Sequence, residues 1–238
     1  MIVIRSIAAV LFLVATIVLS VLSLPAALLD RSGKIYLWLA RLWSKIFLFL
    51  FGTRLHVTGL ENIKKKENYV FVANHSSYAD IPIILAGIPH DIRLILRKSL
   101  TQIPIWGWVL LVSPMIIIDR ANAARAKKTL SNAVDKIKAG ASVLLFPEGT
   151  RSADGKPHEF KRGAFHIASE SEAYVIPVAV IGAFEMLPRT SKLPKWGSHV
   201  TLKIGRPLQV NATISSERDR EMDLMRRAEE SVRVMLAH

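Results

Sequence analysis

Short apolar runs alternate with helical patterns along the chain from residue 53 onward. The runs typical of buried strands are YVFVA (69–73), IRLIL (92–96), PMIIID (114–119), SVLLF (142–146), YVIPVAVI (174–181) and HVTLKIG (199–205). Several are apolar throughout, which is typical of strands buried on both faces of a sheet. The alternation with helices predicts an α/β fold, in which a mostly parallel sheet is covered by helices.

Two segments outside these runs carry apolar residues at helical spacing. Residues 121 to 139 place Leu130, Val134 and Ile137 on one face, with basic residues on the others, and Gly140 follows as a stop signal. From Glu217 onward, apolar residues recur at similar spacing opposite mixed charges. We predict one amphipathic helix between two strands and one closing helix that packs on the sheet.

The first 52 residues follow a different pattern. No charged residue occurs from Ser6 to Leu29, and a helix of about 24 residues would cover about 36 Å, slightly more than a hydrocarbon core of roughly 30 Å. This segment is therefore long enough to span a bilayer. A secretory signal is the rival interpretation, but only Arg5 precedes the segment and no clear small-x-small cleavage site follows it, so we expect it to be retained.

The next stretch, KIYLWLARLWSKIFLFLFG, mixes basic and apolar residues. On a helix, Lys34, Arg41 and Lys45 fall on one narrow stripe, with leucine, isoleucine and phenylalanine elsewhere. The pattern favours a helix in the membrane interface, with the basic residues facing lipid phosphates and Trp38 and Trp43 at headgroup level. A second spanning helix is the alternative, because long basic side chains can reach the interface from inside a bilayer.

These features predict two regions, with membrane-anchoring helices over residues 1–52 and an α/β domain over residues 53–238. Basic residues gather after the first apolar segment, while only Arg5 precedes it. The positive-inside rule then places the main domain on the cytoplasmic side of the membrane, which we expect to be the cell inner membrane.

Charge and cysteine content narrow the possible partners. The chain combines a formal net charge of +13 with a hydrophobic fraction of 51% and contains no cysteine. Strong basicity indicates an anionic partner, and the apolar content favours an anionic membrane over nucleic acid, for which no recognised binding module occurs. Without cysteine, the chain has no disulfide, no thiolate metal site and no cysteine nucleophile.

The first candidate for chemistry is ANHSSYAD (73–80), which follows the apolar run YVFV. If the intervening residues turn, as a strand-to-helix connection permits, the Asp80 carboxylate can hold one nitrogen of His75 and leave the other free as a general base. The alternative is that Asp80 only caps a helix and His75 is a satisfied turn residue. Ser76 and Ser77 suggest a serine nucleophile, but the chain has no GxSxG elbow, so we expect direct transfer without an acyl-enzyme.

The second candidate is LLFPEGTRS (144–152), which ends another buried run. Its turn can direct backbone N–H groups at an anion, and Arg151 carries a guanidinium suited to bidentate phosphate contact. An ordinary turn with an exposed Glu–Arg pair is the alternative. Further basic residues accompany it: the pair Arg97–Lys98 and Arg120 end other runs, and Lys161–Arg162 in FKRGAF lie where we expect a helix to begin. Open α/β sheets bind ligands at strand ends, so we expect these groups to share one site.

Four blocks occur in a defined order over roughly residues 55 to 207: NHSSYAD, the pair IPIWGW and IIIDR, FPEGTRS with FKRGAF, and VIPVAV. In order and spacing they resemble the blocks of the glycerolipid acyltransferases, specifically the bacterial 1-acylglycerol-3-phosphate O-acyltransferases. The resemblance implies that His75 takes the proton from the free hydroxyl of a lysophospholipid and that Asp80 orients it. It also implies a substrate-binding set, which comprises Glu148, Gly149, Thr150 and Arg151, with Lys98 and Arg120 as helpers of Arg151 at the phosphate.

The resemblance further implies a membrane-bound enzyme of phospholipid biosynthesis. It would transfer a fatty acyl group from acyl-CoA or acyl carrier protein to the free sn-2 hydroxyl of 1-acylglycerol-3-phosphate, giving phosphatidic acid. Neither a metal nor a cofactor would be required, and Pro177 would shape the acyl-donor side. Two alternatives stay open, namely acylation of another lysolipid, such as lyso-ornithine lipid, and a non-enzymatic basic protein that docks on membranes.

Overall fold

The computed structural model describes residues 2–30, 32–119 and 121–237 and contains eight α-helices and seven β-strands in that part of the chain. The elements, in chain order, are α1 Ile2–Leu29, α2 Lys34–Leu50, β1 Arg54–Thr58, β2 Tyr69–Ala73, α3 Asp80–Gly87, β3 Ile92–Arg97, α4 Trp106–Val112, β4 Ile116–Ile118, α5 Ala123–Lys138, β5 Ser142–Leu145, α6 Gly163–Ser171, β6 Tyr174–Ile181, α7 Ala183–Met186, β7 His199–Ile204 and α8 Glu217–Ala237. Short 3₁₀ turns follow β1 and β3.

The strands form one sheet of seven in the order β1-β7-β6-β2-β5-β3-β4. Neighbouring strands pair in parallel, except that β6 and β7 are antiparallel. The predicted α/β fold with a mostly parallel sheet is therefore confirmed. All six predicted strands occur, but β1 was missed because its residues alternate between exposed and half-buried, as expected at a sheet edge.

Helices cover both faces of the sheet, which explains why the central strands are apolar throughout. In β2, Tyr69 and Phe71 pack into a layer that includes α1, α2 and α3, whereas Val70 and Val72 pack against α5, α6 and α8. All four side chains are fully buried. Each residue of such a strand meets a core on one side or the other, so the period-2 alternation of a half-exposed strand is absent.

The two N-terminal helices form a hairpin that packs on the α/β part. Trp43 of α2 donates its indole N–H to Thr16 Oγ1 of α1 at 2.9 Å, and Arg41 donates to the main-chain carbonyl of His90, just beyond α3. The sequence predicted that Arg41 faces lipid phosphates and that Trp43 lies at headgroup level. In the structure both side chains instead bond within the protein, to the carbonyl of His90 and to Thr16. Lys34, Trp38 and Lys45 are exposed.

Helix α4 lies beside α1 and exposes apolar side chains. A Cβ on Gly107, near its start, would lie 2.3 Å from the carbonyl oxygen of Thr101, so only glycine permits this close approach. Trp108 and Leu111 are 58% and 64% exposed. Residues 99–118 contain no charged residue.

Within the described residues, one helix is long and apolar enough to cross a membrane, over Ile2–Ala27. Its outward side exposes a series of large apolar residues, among them Val3, Ile7, Val10, Val14 and Val21. Helix α2, with 17 residues, is shorter than the roughly 20 that a perpendicular span requires. The division into residues 1–52 and 53–238 stays a prediction.

Candidate active site

Sheet topology brings the two motifs predicted from the sequence together. Strands β2 and β5 are parallel neighbours, with Val72 paired to Leu145, so the segments that follow them leave the sheet at the same edge. His75 comes two residues after β2, and the segment FPEGTRS begins directly after β5. This edge carries the carboxyl ends of parallel strands, where open α/β sheets bind ligands.

His75 and Asp80 meet as predicted, at a distance of 2.7 Å between His75 Nδ1 and Asp80 Oδ2. Asp80 is the first residue of α3 and is fully buried. Its Oδ2 atom also accepts the backbone N–H groups of Ser76 and Ser77, both at 2.9 Å. The turn between strand and helix thus wraps around the carboxylate. Asp80 therefore holds the His75 ring in addition to any role as a helix cap.

The contact with Asp80 fixes the tautomer of the neutral imidazole. An ionised carboxylate only accepts hydrogen bonds, so in the neutral ring Nδ1 of His75 carries the proton and Nε2 keeps its lone pair. The ring stacks on Phe146, with centroids 4.0 Å apart and planes 17° apart, and 17% of the side chain is exposed. His75 is therefore held on two sides and presents one basic nitrogen.

The backbone of His75 is tied to the segment after β5. Its N–H donates to Glu148 Oε1 at 2.9 Å, and its carbonyl accepts the N–H of Ser152 at 2.8 Å. The second oxygen of Glu148 accepts the N–H of His158 at 3.1 Å. The Glu148 carboxylate is 2% exposed, and burial raises its pKa. The structure thus turns Glu148 inward, away from the cavity lining.

Asn74 joins the end of β2 to β6, a role that the sequence alone did not reveal. Its side chain donates to the carbonyl of Val180 at 3.0 Å and accepts the N–H of Val180 at 2.8 Å. This two-way bond joins β2 and β6 beyond Ala73 and Val178, their last paired residues. A polar residue directly after a buried strand was the available signal, but its partner lies 106 positions away.

The turn after β5 places Arg151 in the lining of the cavity that contains His75. Gly149 has a φ of 79°, a left-handed conformation that explains glycine at this position, and its N–H bonds to the carbonyl of Phe146. The Arg151 guanidinium lies over the Tyr78 ring at 3.4 Å from the ring centroid. Within the described residues its Nη1 atom is buried without a hydrogen-bond partner. Gly149, Thr150 and Arg151 line the same cavity as His75.

Two other residues predicted from the sequence, Lys98 and Pro177, do not line the cavity that contains His75. Lys98 is exposed and lies 3.3 Å from Asp119, which also pairs with Arg125 at 3.0 Å, so Lys98 is engaged between the ends of β3 and β4 and does not line the cavity. Arg120 lies outside the described residues. Pro177 is buried in the middle of β6, opposite Val72, and is likewise absent from the cavity lining.

A cavity of about 900 Å³ connects this site with the N-terminal hairpin. Its apolar walls include Phe12 of α1, Phe47 of α2, Leu85 of α3 and Val109 of α4. No aspartate or glutamate is among the described residues that line it, whereas five basic residues are: Arg97, Arg151, Lys161, Arg189 and Lys192. The cavity therefore joins a long apolar interior to a cationic mouth at His75.

One group of possible metal ligands lies away from this site. His166 of α6 and Glu217 and Glu221 of α8 have ligand atoms within 4.8 Å of one another. Arg162 Nε lies 3.3 Å from Glu221, and His166 Nδ1 bonds to the same carboxylate at 2.8 Å. Since the guanidinium neutralises this buried carboxylate, the group forms an ion-pair network between two helices.

Comparison with known proteins decides the family. The acyltransferase family model matches residues 54–181, which include both motifs at the strand ends. The chain belongs to the acyltransferase family. A chloroplastic 1-acyl-sn-glycerol-3-phosphate acyltransferase of Arabidopsis thaliana is 32% identical over 179 residues, covering 74% of this chain and 50% of the plant protein.

Two bacterial proteins extend the comparison. A 1-acyl-sn-glycerol-3-phosphate acyltransferase of Borreliella burgdorferi is 32% identical over 136 residues, covering 57% of this chain and 54% of its own length. The chain thus spans about half the length of the curated relatives it matches. The crystal structure of the 1-acyl-sn-glycerophosphate acyltransferase PlsC from Thermotoga maritima superposes with a TM-score of 0.80 at 27% identity, over 100% of this chain and 97% of PlsC. The likeness includes the N-terminal helices and confirms the family resemblance in the sequence.

Proposed function

We propose that the protein transfers a fatty acyl group from an acyl thioester to the sn-2 hydroxyl of 1-acylglycerol-3-phosphate, giving phosphatidic acid. The observation that carries the proposal is the His75 Nδ1–Asp80 Oδ2 contact of 2.7 Å at the cationic mouth of an apolar cavity. A lysophosphatidic acid has the matching chemistry, with one hydroxyl, one phosphate and one chain. The names of the relatives from Arabidopsis and Borreliella support the same substrate.

The mechanism follows from the held imidazole. Nε2 of His75 takes the proton of the hydroxyl as its oxygen attacks the thioester carbonyl, and Asp80 stabilises the imidazolium that forms. When the tetrahedral intermediate collapses, the carbon–sulfur bond breaks, and the imidazolium returns the proton to the leaving thiolate. The ester and the free thiol are the products. No acyl-enzyme is formed.

Arg151 supplies the phosphate contact for the acceptor. Its guanidinium is planar and presents several N–H donors in a fork that matches phosphate oxygens. The stacking on Tyr78 fixes the plane of the guanidinium, and the buried Nη1 atom has a donor to offer. Thr150 and the turn at Gly149 line the same part of the cavity. A phosphate held here places the glycerol hydroxyl of the same molecule at His75.

Glu148 acts on the reaction through His75 and not through the substrate. Both of its oxygens are engaged by backbone N–H groups, one of them that of His75. A misplacement of about 1 Å at a reacting group can cost about 10²-fold in rate. We therefore assign Glu148 a positioning role, in place of the substrate-binding role that the resemblance implied.

We propose that the chain works at the surface of an anionic membrane, with the α/β domain on the cytoplasmic side of the inner membrane. The exposed apolar side of α1 and the adjacent Trp108 and Leu111 of α4 would contact lipid. The hairpin that carries this surface also walls the cavity, so a lysolipid tail can enter from the leaflet while its headgroup reaches Arg151. The exposed Lys34 and Lys45 supply cations for the phosphates of the surrounding lipids.

The function is tested by incubating the purified protein with a panel of lysolipids and two thioesters, acyl-CoA and the acylated form of acyl carrier protein. Identification of the product lipid should show phosphatidic acid from lysophosphatidic acid, at a higher kcat/KM than for a lysolipid without a phosphate monoester. Preference for lyso-ornithine lipid would contradict the proposed acceptor. Binding to anionic vesicles without consumption of either thioester would contradict an enzymatic role.

A further inference from the structure

Two groups of cations flank His75 on opposite sides along the sheet. Strand β2, which ends at His75, lies between β5 and β6 in the strand order. The first group, Arg151 and Lys161, comes from the connection between β5 and α6. The second group, Arg189 and Lys192, comes from the connection between α7 and β7, which leaves the sheet at the carboxyl end of β6. All four side chains line the cavity that contains His75.

The second group has no partner in the described part of the chain. Arg189 and Lys192 are exposed, and neither takes part in a salt bridge or a side-chain hydrogen bond among the described residues. No carboxylate among those residues lines the cavity. Isolated cations at the mouth of an otherwise apolar cavity raise the local concentration of anions.

The connection that carries these cations is held in place. Arg5 of α1 donates from Nε to the carbonyl of Pro194 at 2.7 Å and from Nη2 to the carbonyl of Leu193 at 2.6 Å. The N–H of Lys195 bonds to the carbonyl of Met186 at 2.7 Å. Arg189 and Lys192 thus lie on a loop that the Lys195–Met186 bond closes on α7 and that Arg5 ties to α1 at Leu193 and Pro194.

We propose that Arg189 and Lys192 bind the acyl donor through the phosphate of its phosphopantetheine arm. The inference rests on the proposed function, because acyl transfer brings two anionic molecules to one imidazole. The acceptor phosphate occupies the Arg151 side, so the donor reaches His75 from the other side, where the second group lies. Both CoA thioesters and acyl carrier protein carry the phosphopantetheine phosphate, and the proposal concerns that shared group.

The test compares a double variant with a control of equal charge. In the Arg189→Ala/Lys192→Ala protein, the KM for palmitoyl-CoA and for palmitoyl acyl carrier protein should rise about tenfold, the change expected when about 1.4 kcal/mol of binding is lost. The kcat and the KM for lysophosphatidic acid should stay within about twofold, because the two cations bind the donor while Arg151 binds the acceptor phosphate. The Arg189→Lys/Lys192→Arg protein should retain most of the donor affinity, because it keeps both charges.

The control is Lys65→Ala/Lys66→Ala. Both lysines are exposed, lie between β1 and β2 and make no salt bridge in the described residues, at the edge of the sheet opposite His75. Removing them lowers the net charge by the same amount and should leave the KM for both donors unchanged. An equal rise in both double variants would show a general charge effect and overturn the proposal.

Four outcomes are decisive. A rise in KM for palmitoyl-CoA and for the carrier-protein donor supports the shared phosphate, whereas a rise for palmitoyl-CoA alone would place a group specific to CoA there and overturn the inference. An unchanged KM for both donors, in a variant that still makes phosphatidic acid, overturns this inference and leaves the proposed function intact. A rise in the KM for lysophosphatidic acid alone would assign both cations to the acceptor and also overturn it.

Discussion

Replacing Asp80 by asparagine tests how much the chemistry depends on the carboxylate that holds His75. The Oδ2 atom of Asp80 accepts three hydrogen bonds of 2.7 to 2.9 Å, from His75 Nδ1, Ser76 N and Ser77 N. If the asparagine oxygen takes this position, all three bonds persist but become bonds to a neutral acceptor. The imidazolium that forms in the transition state then loses its ionised partner.

The expected size follows from the difference between the two kinds of bond. A hydrogen bond to a charged group contributes about 1.5–3 kcal/mol and a neutral one about 0.5–1.5 kcal/mol. Their difference of about 1–2 kcal/mol lowers kcat by a factor of about 5–30. If the amide nitrogen instead faces Nδ1, the imidazole is forced into the opposite tautomer, and the loss approaches about 10⁴.

The assay follows release of CoA thiol from palmitoyl-CoA at saturating lysophosphatidic acid, with thermal unfolding measured alongside. Asp80 Oδ1 is buried without a partner among the described residues. An amide N–H₂ placed there costs about 1–3 kcal/mol of stability, so the rates are compared well below the unfolding midpoint. Asp119→Asn, a change at a strand end outside the cavity, is the control and should keep the wild-type kcat. A kcat for Asp80→Asn within threefold of wild type would refute the reasoning.

The remaining predictions concern the groups around this pair. Arg151→Ala should raise the KM for lysophosphatidic acid at least tenfold without changing the donor KM, since a charge-assisted bond contributes about 1.5–3 kcal/mol; an unchanged acceptor KM would remove Arg151 from the phosphate site. Tyr78→Leu should raise the same KM, whereas Tyr78→Phe should leave it near wild type, because the guanidinium stacks on the ring and not on the hydroxyl. Equal effects of the two changes would contradict the stacking role. Glu148→Gln should lower kcat more than it changes either KM, and a selective rise in acceptor KM would restore the substrate-binding role. Burial lowers the pKa of His90 below its usual value of 6.5, so the folded state prefers neutral His90. Its stabilising effect is present above pH 6.5 and is lost as the pH falls toward the lowered value. Urea unfolding from pH 7.5 to 5 should therefore show a smaller decline in His90→Asn than in wild type, and an equal decline would contradict this cause.

The sequence predicted the parts of the fold that depend on local pattern. Strands such as Tyr69–Ala73 were recognisable because burial on both faces leaves a continuous apolar run. Strand β1, Arg54–Thr58, was not, since an edge strand that pairs only with β7 retains polar side chains. The start of α3 at Asp80 agrees with the strand-to-helix connection expected there, and Pro82 lies in the first turn of the helix, where proline is tolerated.

The site was predictable where its residues lie close in sequence. His75 and Asp80 are five positions apart, and their contact follows from one turn. Glu148 reaches the backbone of His75 across 73 positions, and Arg41 reaches the carbonyl of His90 across 49. Hydrophobic periodicity cannot reveal such partners. It shows which face of a helix or strand is buried, but not which hydrogen-bonding group of another element lies opposite that face.

The rate of a single turnover in His75→Gln and His75→Ala, with enzyme in excess over the acyl donor and with saturating lysophosphatidic acid, tests the central claim most directly. A positioned general base contributes about 10²–10⁴-fold to the rate. We expect both variants to bind lysophosphatidic acid and anionic vesicles as wild type does and to form phosphatidic acid at least about 10²-fold more slowly. Formation of phosphatidic acid within tenfold of the wild-type rate, in a folded variant without this imidazole, would contradict the account.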